Sequence, residues 1–270
     1  MMALTSSSER LALLRAQGIT PLLGNLDAPA SLRRLAGLAH RVLHLAPPPN
    51  DDPLSKTDPR TQAVLRALRL RSLPQAVVYG STSGVYGHCQ GQWVDETRAV
   101  APSTARAHRR VHAEASLRYF GLSAAVAVHV LRIPGIYAPN RTGGTPRERL
   151  LRGTPVLQAS DDVYTNHIHA DDLARACLAA LWRGRPQRVT NVSDNTDLKM
   201  GDYFDVAADL YALPRPARLS RAEACSQLPE MQLSFMSESR RLNNQRLKTE
   251  LRLTLRYPTV VEGLTQKSGS

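Results

Sequence analysis

The sequence predicts an α/β fold: a parallel sheet with helices on both faces and a small, mostly helical C-terminal cap. Three observations predict it. Short apolar runs alternate with amphipathic stretches along residues 1–194. The runs at 76–79 and 124–133 are apolar at consecutive positions, as strands covered on both faces must be. After Asp194 the strand pattern stops and helical spacing takes over.

Taken in order, residues 2–5 are a short apolar strand. Ser6, Ser7 and Ser8 offer N-caps to a helix over 8–17 that carries Leu11, Leu13 and Leu14, and Gly18 suits the position after its end. Residues 19–23 form the next strand, stopped by Gly24, and 30–38 have helical spacing. The strand at 41–46 runs into Pro47, Pro48 and Pro49, which cannot continue a ladder. A polar loop over 50–58 leads to an amphipathic helix at 61–70 and a buried strand at 76–79. A long helix over 103–120 precedes the strand at 124–133, closed by Pro134 and Gly135. A helix over 169–181 and a strand over 188–192 complete the alternation. Residues 200–212 and 238–251 then read as the helices of the cap.

Composition narrows the function. The 270 residues are 42% hydrophobic and 21% charged, which excludes general disorder. No apolar run approaches the ~18 residues needed to span a bilayer, and the start lacks a basic, apolar, small-residue leader. Cys89, Cys177 and Cys225 are far apart and odd in number, which argues against a disulfide framework and for a reducing, cytoplasmic home. The formal charge of +12 comes from 35 basic against 23 acidic residues, and only Lys56, Lys199, Lys248 and Lys267 are lysines. The arginines are scattered from Arg10 to Arg256 and aromatics are only 5%, so they read as solvated faces and not as a nucleic-acid surface.

Open parallel sheets bind ligands at the carboxyl ends of their strands. Polar or glycine- and proline-rich loops sit at those ends here: 24–27, 46–48, 80–87 and 134–139. Four such loops along one edge describe a nucleotide-type crevice.

Within those loops lie specific strings. Residues 79–87, Tyr-Gly-Ser-Thr-Ser-Gly-Val-Tyr-Gly, resemble the S-S-S/T-x-V-Y-G segment of the extended short-chain dehydrogenases/reductases, the NAD-dependent epimerase/dehydratase type. Residues 131–139, Leu-Arg-Ile-Pro-Gly-Ile-Tyr-Ala-Pro, resemble its L-R-x-x-x-x-Y-G-P segment. Residues 167–174 resemble F-x-H-V-D-D-V-A, and Asn191, Val192 and Ser193 resemble Y-N-V-G/S. Four segments in the family's order cover about residues 1 to 200. The resemblance implies NAD or NADP as cofactor and a small-molecule substrate of the nucleotide-sugar kind, with no nucleic-acid or membrane partner; a homodimer is left open.

Two departures qualify it. The family opens with a strand and a G-x-x-G-x-x-G turn that lays the pyrophosphate on a helix N-terminus. The first residues here resemble the family's second strand, so one strand–helix unit of about thirty residues is expected to be absent, through a start placed too far downstream or a degraded gene. The second departure is the family's Y-x-x-x-K pair. Counting back from Glu114, which matches the family's helix Glu, puts Arg106 at the Tyr position and Arg110 at the Lys position. Arg cannot release a proton near neutrality, whereas Arg110 can still hold a ribose or a phosphate.

The candidate site follows residue by residue. The catalytic candidates are Thr82, Arg106 and Arg110, where Thr82 stands four before Tyr86, at the family's Ser/Thr position. Read without the family, Thr82 is a turn-forming hydroxyl at a strand end. The cofactor candidates are Asn25 and Leu26 at the adenine, Leu45, Ala46 and Pro47 along the backbone that passes the dinucleotide, Arg110, and Pro134, Gly135 and Ile136 at the nicotinamide. Asn25 equally reads as a plain Asx turn. Ser83, Tyr137 and Arg141 are the substrate candidates. His167, His169, Asp171 and Asp172 have metal-like spacing, but the resemblance makes them a structural turn in which Asp171 or Asp172 caps the next helix, so no metal is expected. Thr5, Ser6 and Ser7 offer no acid to a ribose 2′-hydroxyl and Arg10 is near, which leans the cofactor to NADP.

The expected organisation is a truncated nucleotide-binding core over 1–140, a substrate loop with the last helix and strand of the core over 141–194, and the cap over 195–270. The expected function is that of an NAD(P)-binding oxidoreductase or epimerase. The alternative is a non-catalytic dinucleotide- or metabolite-binding module, or a truncated inactive product.

Overall fold

The computed structural model describes residues 1–52, 54–141 and 143–265. The chain opens with β1 (Met2–Thr5), α1 (Arg10–Ala16) and β2 (Thr20–Leu23). The expected serine caps are not made: Glu9 is the N-cap of α1 and gives no side-chain bond. Gly18 does end it, at φ +71°, with the N–H of Gly18 on the Arg15 carbonyl and that of Ile19 on the Leu14 carbonyl. Residues 30–38 were expected to be α-helical, but the chain there forms a 3-10 segment, Pro29–Leu35, with only Leu32 buried. Ser31 gives the reason: its Oγ donates to the Asn25 and Ala28 carbonyls, competing with regular helical bonding.

β3 (Arg41–His44) leads to α2 (Pro59–Leu68), whose first turn has Pro59 and the Asp58 cap on the Thr61 N–H. β4 (Ala76–Thr82), β5 (Trp93–Val94) and α3 (Ala105–Ala124), capped by Thr104, follow. Then come β6 (Ala127–Ile133), β7 (Gly135–Tyr137), α4 (Arg147–Leu151), β8 (Val156–Leu157), β9 (Tyr164–Thr165) and β10 (His167–His169). α5 (Ala170–Arg183) and β11 (Arg188–Asn191) end the alternating part.

β3, β4, β6 and β11 form one parallel sheet in the order β11-β6-β4-β3. Alternate residues of β4 and β6 enter two cores. Val77, Tyr79, Val128 and Val130 pack against Leu65 of α2 and Leu117 and Phe120 of α3. On the other face, Val78, Leu131 and Ile133 pack against Ala176, Cys177 and Ala180 of α5 and against Leu247 and Leu251. The sheet is thus covered on both sides, as its apolar runs require.

The cap holds β12 (Leu198–Lys199), α6 (Met200–Leu210), β13 (Arg218–Leu219), α7 (Arg221–Gln227), α8 (Glu230–Phe235), β14 (Arg241–Leu242), α9 (Gln245–Thr249) and α10 (Val260–Leu264). Strands do not stop after Asp194, and 238–251 is not one helix. β14 pairs with β5, and Asn243 and Asn244 break the run. Asn243 Oδ1 accepts from the Gln245 N–H, while Asn244 Nδ2 donates to the Ser193 and Asp194 carbonyls. The cap of α5 is also not an aspartate. His169 Nδ1 accepts from the Asp171 N–H, while Asp172 is fully buried and accepts from the Arg256 and Tyr257 N–H groups. Asp172 therefore ties the end of the cap to the sheet helix.

β1 and β2 form a separate two-stranded parallel sheet, and among the described residues neither pairs with β3. Thr20 and Gly24 donate to the Met1 and Thr5 carbonyls, so the intervening Pro21 sets its nitrogen on the outer side of β2. α1 buries no residue. Leu32 and α2, by contrast, sit in the first core. Amide exchange at 10–23 is expected to be faster than in β4 and β6 by about three orders of magnitude or more, because local opening there exposes almost no core. Equal protection by hydrogen-exchange mass spectrometry would overturn this.

Candidate active site

The loop after β4 is fixed by its own sequence. Thr82 ends the strand and its Oγ1 accepts from the Gly84 N–H at 3.2 Å. Gly87 lies at φ +65°, where a Cβ would meet the Ala101 carbonyl oxygen at 2.1 Å, so only glycine fits. Tyr86 is buried and donates to Asn191 Oδ1 at 2.8 Å, which locks the loop onto the end of β11. This loop, the segment after β6 and the cap enclose a cavity of about 710 Å³ at the carboxyl edge of the sheet.

Thr82, Ser83, Arg106 and Arg110 line this cavity together with Leu45, and Pro134, Gly135, Ile136 and Tyr137 form a second wall. Arg106 and Arg110 are one turn apart on α3, which brings both to the same side. Arg110 Nη1 donates to the Gly80 carbonyl at 2.7 Å, to Tyr79 Oη at 2.9 Å and to the Ala46 carbonyl at 3.5 Å. These acceptors are all neutral, so they leave its charge uncompensated. Burial pushes the Tyr79 phenol up to about 12, against the pull of Arg110.

Not every predicted residue joins them. Ala46 touches the site only through its carbonyl on Arg110, and Pro47 accepts from Arg60 Nη1 at 3.1 Å. Asn25 forms the plain turn, with Oδ1 on the Asp27 N–H at 3.0 Å. Leu26 lines a separate hollow of about 340 Å³ with Asp27, Pro49 and Arg60. There Arg60 grips Asp27 with both nitrogens at 2.6 Å and holds its carboxyl below the usual range. Arg141 is exposed, is not among the residues lining the cavity, and its Nη1 donates to the Ile136 carbonyl.

Of the residues on the other side of the cavity, the sequence singles out only His167, and that as part of a structural turn. Arg149, His167, Tyr203, Phe204 and Arg240 line it. Burial pushes His167 down to about 4, and burial, then Asp194, raises the Tyr137 phenol. Arg240 is neutralised by Glu238 at 2.7 Å. These residues lie outside any loop at a strand end of the sheet, so only the packing of the cap reveals them. Among the described residues, no group of three or more His, Cys, Asp or Glu is placed to hold a metal ion. Among the described residues, no helix is long and apolar enough to cross a membrane.

Residues 3–193 match the NAD dependent epimerase/dehydratase family. The chain belongs to that family. Comparison with curated proteins gives no match. Among solved structures, a functionally unknown conserved protein from Silicibacter pomeroyi DSS is 31% identical, with a TM-score of 0.79, over 97% of this chain and 87% of that one. MoeE5 in complex with UDP-glucose and NAD is 21% identical, with a TM-score of 0.72, over 97% and 95%. RMD from Pseudomonas aeruginosa complexed with NADPH is 18% identical, with a TM-score of 0.74, over 98% and 94%. Membership in the epimerase/dehydratase family accounts for the Rossmann-like sheet and for a cavity at its carboxyl edge. Arg106 and Arg110 line that cavity.

Proposed function

We propose that the chain is an NAD(P)-dependent enzyme of the oxidoreductase or epimerase kind, acting on a nucleotide-sugar-like small molecule with Arg106 and Arg110 in place of the Tyr and Lys pair. The observation that carries this reading is the convergence of Thr82, Arg106 and Arg110 on one cavity at the carboxyl edge of the sheet. The residues fit the nicotinamide and ribose end of a dinucleotide, because Pro134, Gly135 and Ile136 give an open wall and Arg110 holds uncompensated charge beside it. When bound, that group supplies hydride transfer. Arg110 would hold ribose oxygens. Thr82 would position a substrate oxygen by its hydroxyl. Arg106 cannot release a proton and would steady an oxygen that gains negative charge. The end of β1 offers Thr5, Ser6 and Ser7 and no acid, which favours NADP over NAD.

One observation favours a second reading, a binding module without turnover. Burial raises the phenols of Tyr137 and Tyr203 and drops His167 to about 4, so none of these three exchanges protons readily at neutral pH.

Titration with NADH and NADPH tests both readings. Arg110→Ala is expected to weaken binding about tenfold or more, the worth of one charge-assisted hydrogen bond, while Arg141→Ala leaves it unchanged. An unaltered affinity in Arg110→Ala would remove the proposal. Dinucleotide oxidation or reduction with nucleotide sugars separates an enzyme from a binder.

A further inference from the structure

The strands of the main sheet are parallel, so the loops that lead into β3, β4, β6 and β11 lie on its amino edge, opposite the cavity. They form one continuous surface. A Cβ at Gly37 would lie 3.0 Å from Ser72 Oγ, and Arg69 Nη2 donates to Ser123 Oγ at 2.6 Å. Gln187 Nε2 donates to the Val126 carbonyl at 3.2 Å, and Arg183 Nη1 to the Leu251 carbonyl at 3.1 Å. Charge along the chain is segregated to match. Residues 28–50, 59–94, 115–147 and 173–193, which contain the four loops, hold no acid. The edge exposes Arg66, Arg69, Arg71, Arg183, Arg185 and Arg252, and among the described residues none of these makes an ion pair. Glu250 comes near Arg185 but is taken up by Arg188 and Arg246. Arginines scattered in the sequence are thus gathered by the topology.

Helices α2, α3 and α5 end on this edge, and their dipoles favour cations there. The dipoles give no reason for the side chains that stand among the arginines. Leu38, Leu70, Leu73, Leu122 and Trp182 are each between 41% and 70% exposed, and every loop or helix end of the edge contributes at least one. Arg41 stacks 4.0 Å from the centre of the Trp182 ring. Large apolar side chains grouped in water mark a contact surface. A polyphosphate chain needs only the arginines, and a base-stacking surface uses aromatic rings, not leucines. An anionic bilayer uses both kinds of group: arginines meet the headgroups, while leucines and an indole enter the acyl boundary. We infer that the amino edge of the sheet is a peripheral docking surface for anionic phospholipid membranes. It holds the protein on the bilayer with the cavity side of the sheet turned to water. The inference goes beyond the proposed activity and does not depend on what the cavity binds.

Co-sedimentation of the full chain with vesicles tests it, using phosphatidylcholine alone and a mixture of three parts phosphatidylcholine to one part phosphatidylserine. Binding is expected to the mixed vesicles only, and to vanish in molar salt. Arg71→Gln combined with Arg185→Gln is expected to weaken it about twentyfold or more, roughly fivefold per arginine. Both side chains are exposed, and an unchanged melting temperature checks that the variant is folded. Trp93→Phe leaves Trp182 as the sole tryptophan, and its emission is expected to shift to the blue on the mixed vesicles. No binding to the mixed vesicles, equal binding to both kinds, an affinity unaltered in the double variant, or an emission that stays in place would each overturn the inference. Binding of single-stranded RNA by a chain that leaves the mixed vesicles unbound would overturn it as well, and assign the edge to nucleic acid.

Discussion

Lowering the pH from 6.5 to 5 is expected to cost this protein about 3 kcal/mol of stability. Three buried histidines cause it. His44 is hydrogen-bonded to Thr61 at 3.0 Å and His129 to Thr190 at 3.0 Å, while His167 lies in the cavity wall beside Tyr203. Burial holds all three down to about 4, from an ordinary value of 6.5. A histidine with a depressed folded pKa is protonated first in the unfolded chain. Its contribution is therefore complete above 6.5 and is lost as the pH falls toward 4. Asp194 acts in the opposite sense, since burial raises it to about 7 and folding then favours its neutral form over this range. Each unfolded-state histidine is only half protonated at pH 6.5, so unfolding takes up about 1.5 protons net on average over this range, a slope of about 2 kcal/mol per pH unit. Ordinary domains have only ~5–15 kcal/mol in all, so unfolding is expected near pH 4 to 5. Thermal melts between pH 7 and 5 check it, and a melting temperature that does not move across that range would refute it. His129→Gln should flatten the slope by one proton.

Arg132→Met is expected to be the most damaging single change in the sheet. Arg132 is 4% exposed and Glu114 6%, and they form a two-pronged pair, Nη2 to Oε2 at 2.8 Å and Nε to Oε1 at 3.2 Å. Ser81 Oγ donates to the same carboxylate at 2.5 Å, and the guanidinium lies 4.6 Å over the Tyr86 ring. The pair thus ties α3, β4, β6 and the Thr82 loop together. Removing the cation leaves a buried carboxylate with Ser81 alone, at a cost of ~3–5 kcal/mol. For a chain of this size that is a fall of about 10 °C in melting temperature. Arg132→Met combined with Glu114→Leu should recover most of the loss, because no charge is then stranded. A double variant that loses as much as the two single ones together would show that packing, and not the pair, is what matters.

The same residues show how far the sequence can be read. Arg132 and Glu114 stood out as members of motifs, but their partnership joins positions on different elements, and no local pattern carries that. The parallel core was legible because consecutive apolar positions at 76–79 and 124–133 leave a strand no polar face. In the candidate site, Thr82, Arg106, Arg110 and the segment over 134–137 could be read from the sequence as one cavity wall, through the family resemblance and because they follow strands or share a helix face at i and i+4. The cap half could not. Arg149 sits on a helix of five residues, too short for periodicity to announce it. The 3-10 segment at Pro29–Leu35 and the break at Asn243 and Asn244 turned on single side chains bonding to nearby backbone, which average propensity hides.

The placement of Pro21 bears on how copies of this chain meet. A foreign strand that tries to extend the outer side of β2 finds no N–H at Pro21, which is the usual natural guard against edge-to-edge aggregation. The other border, the free edge of β1, has no such gatekeeper: it holds Met2, Ala3, Leu4 and Thr5, with no proline or lysine. The sequence therefore guards one border of the small sheet and leaves the other as an open template. Self-association of crowded chains, where it occurs, should start on that border of β1 and be relieved by a proline or a charge at Leu4.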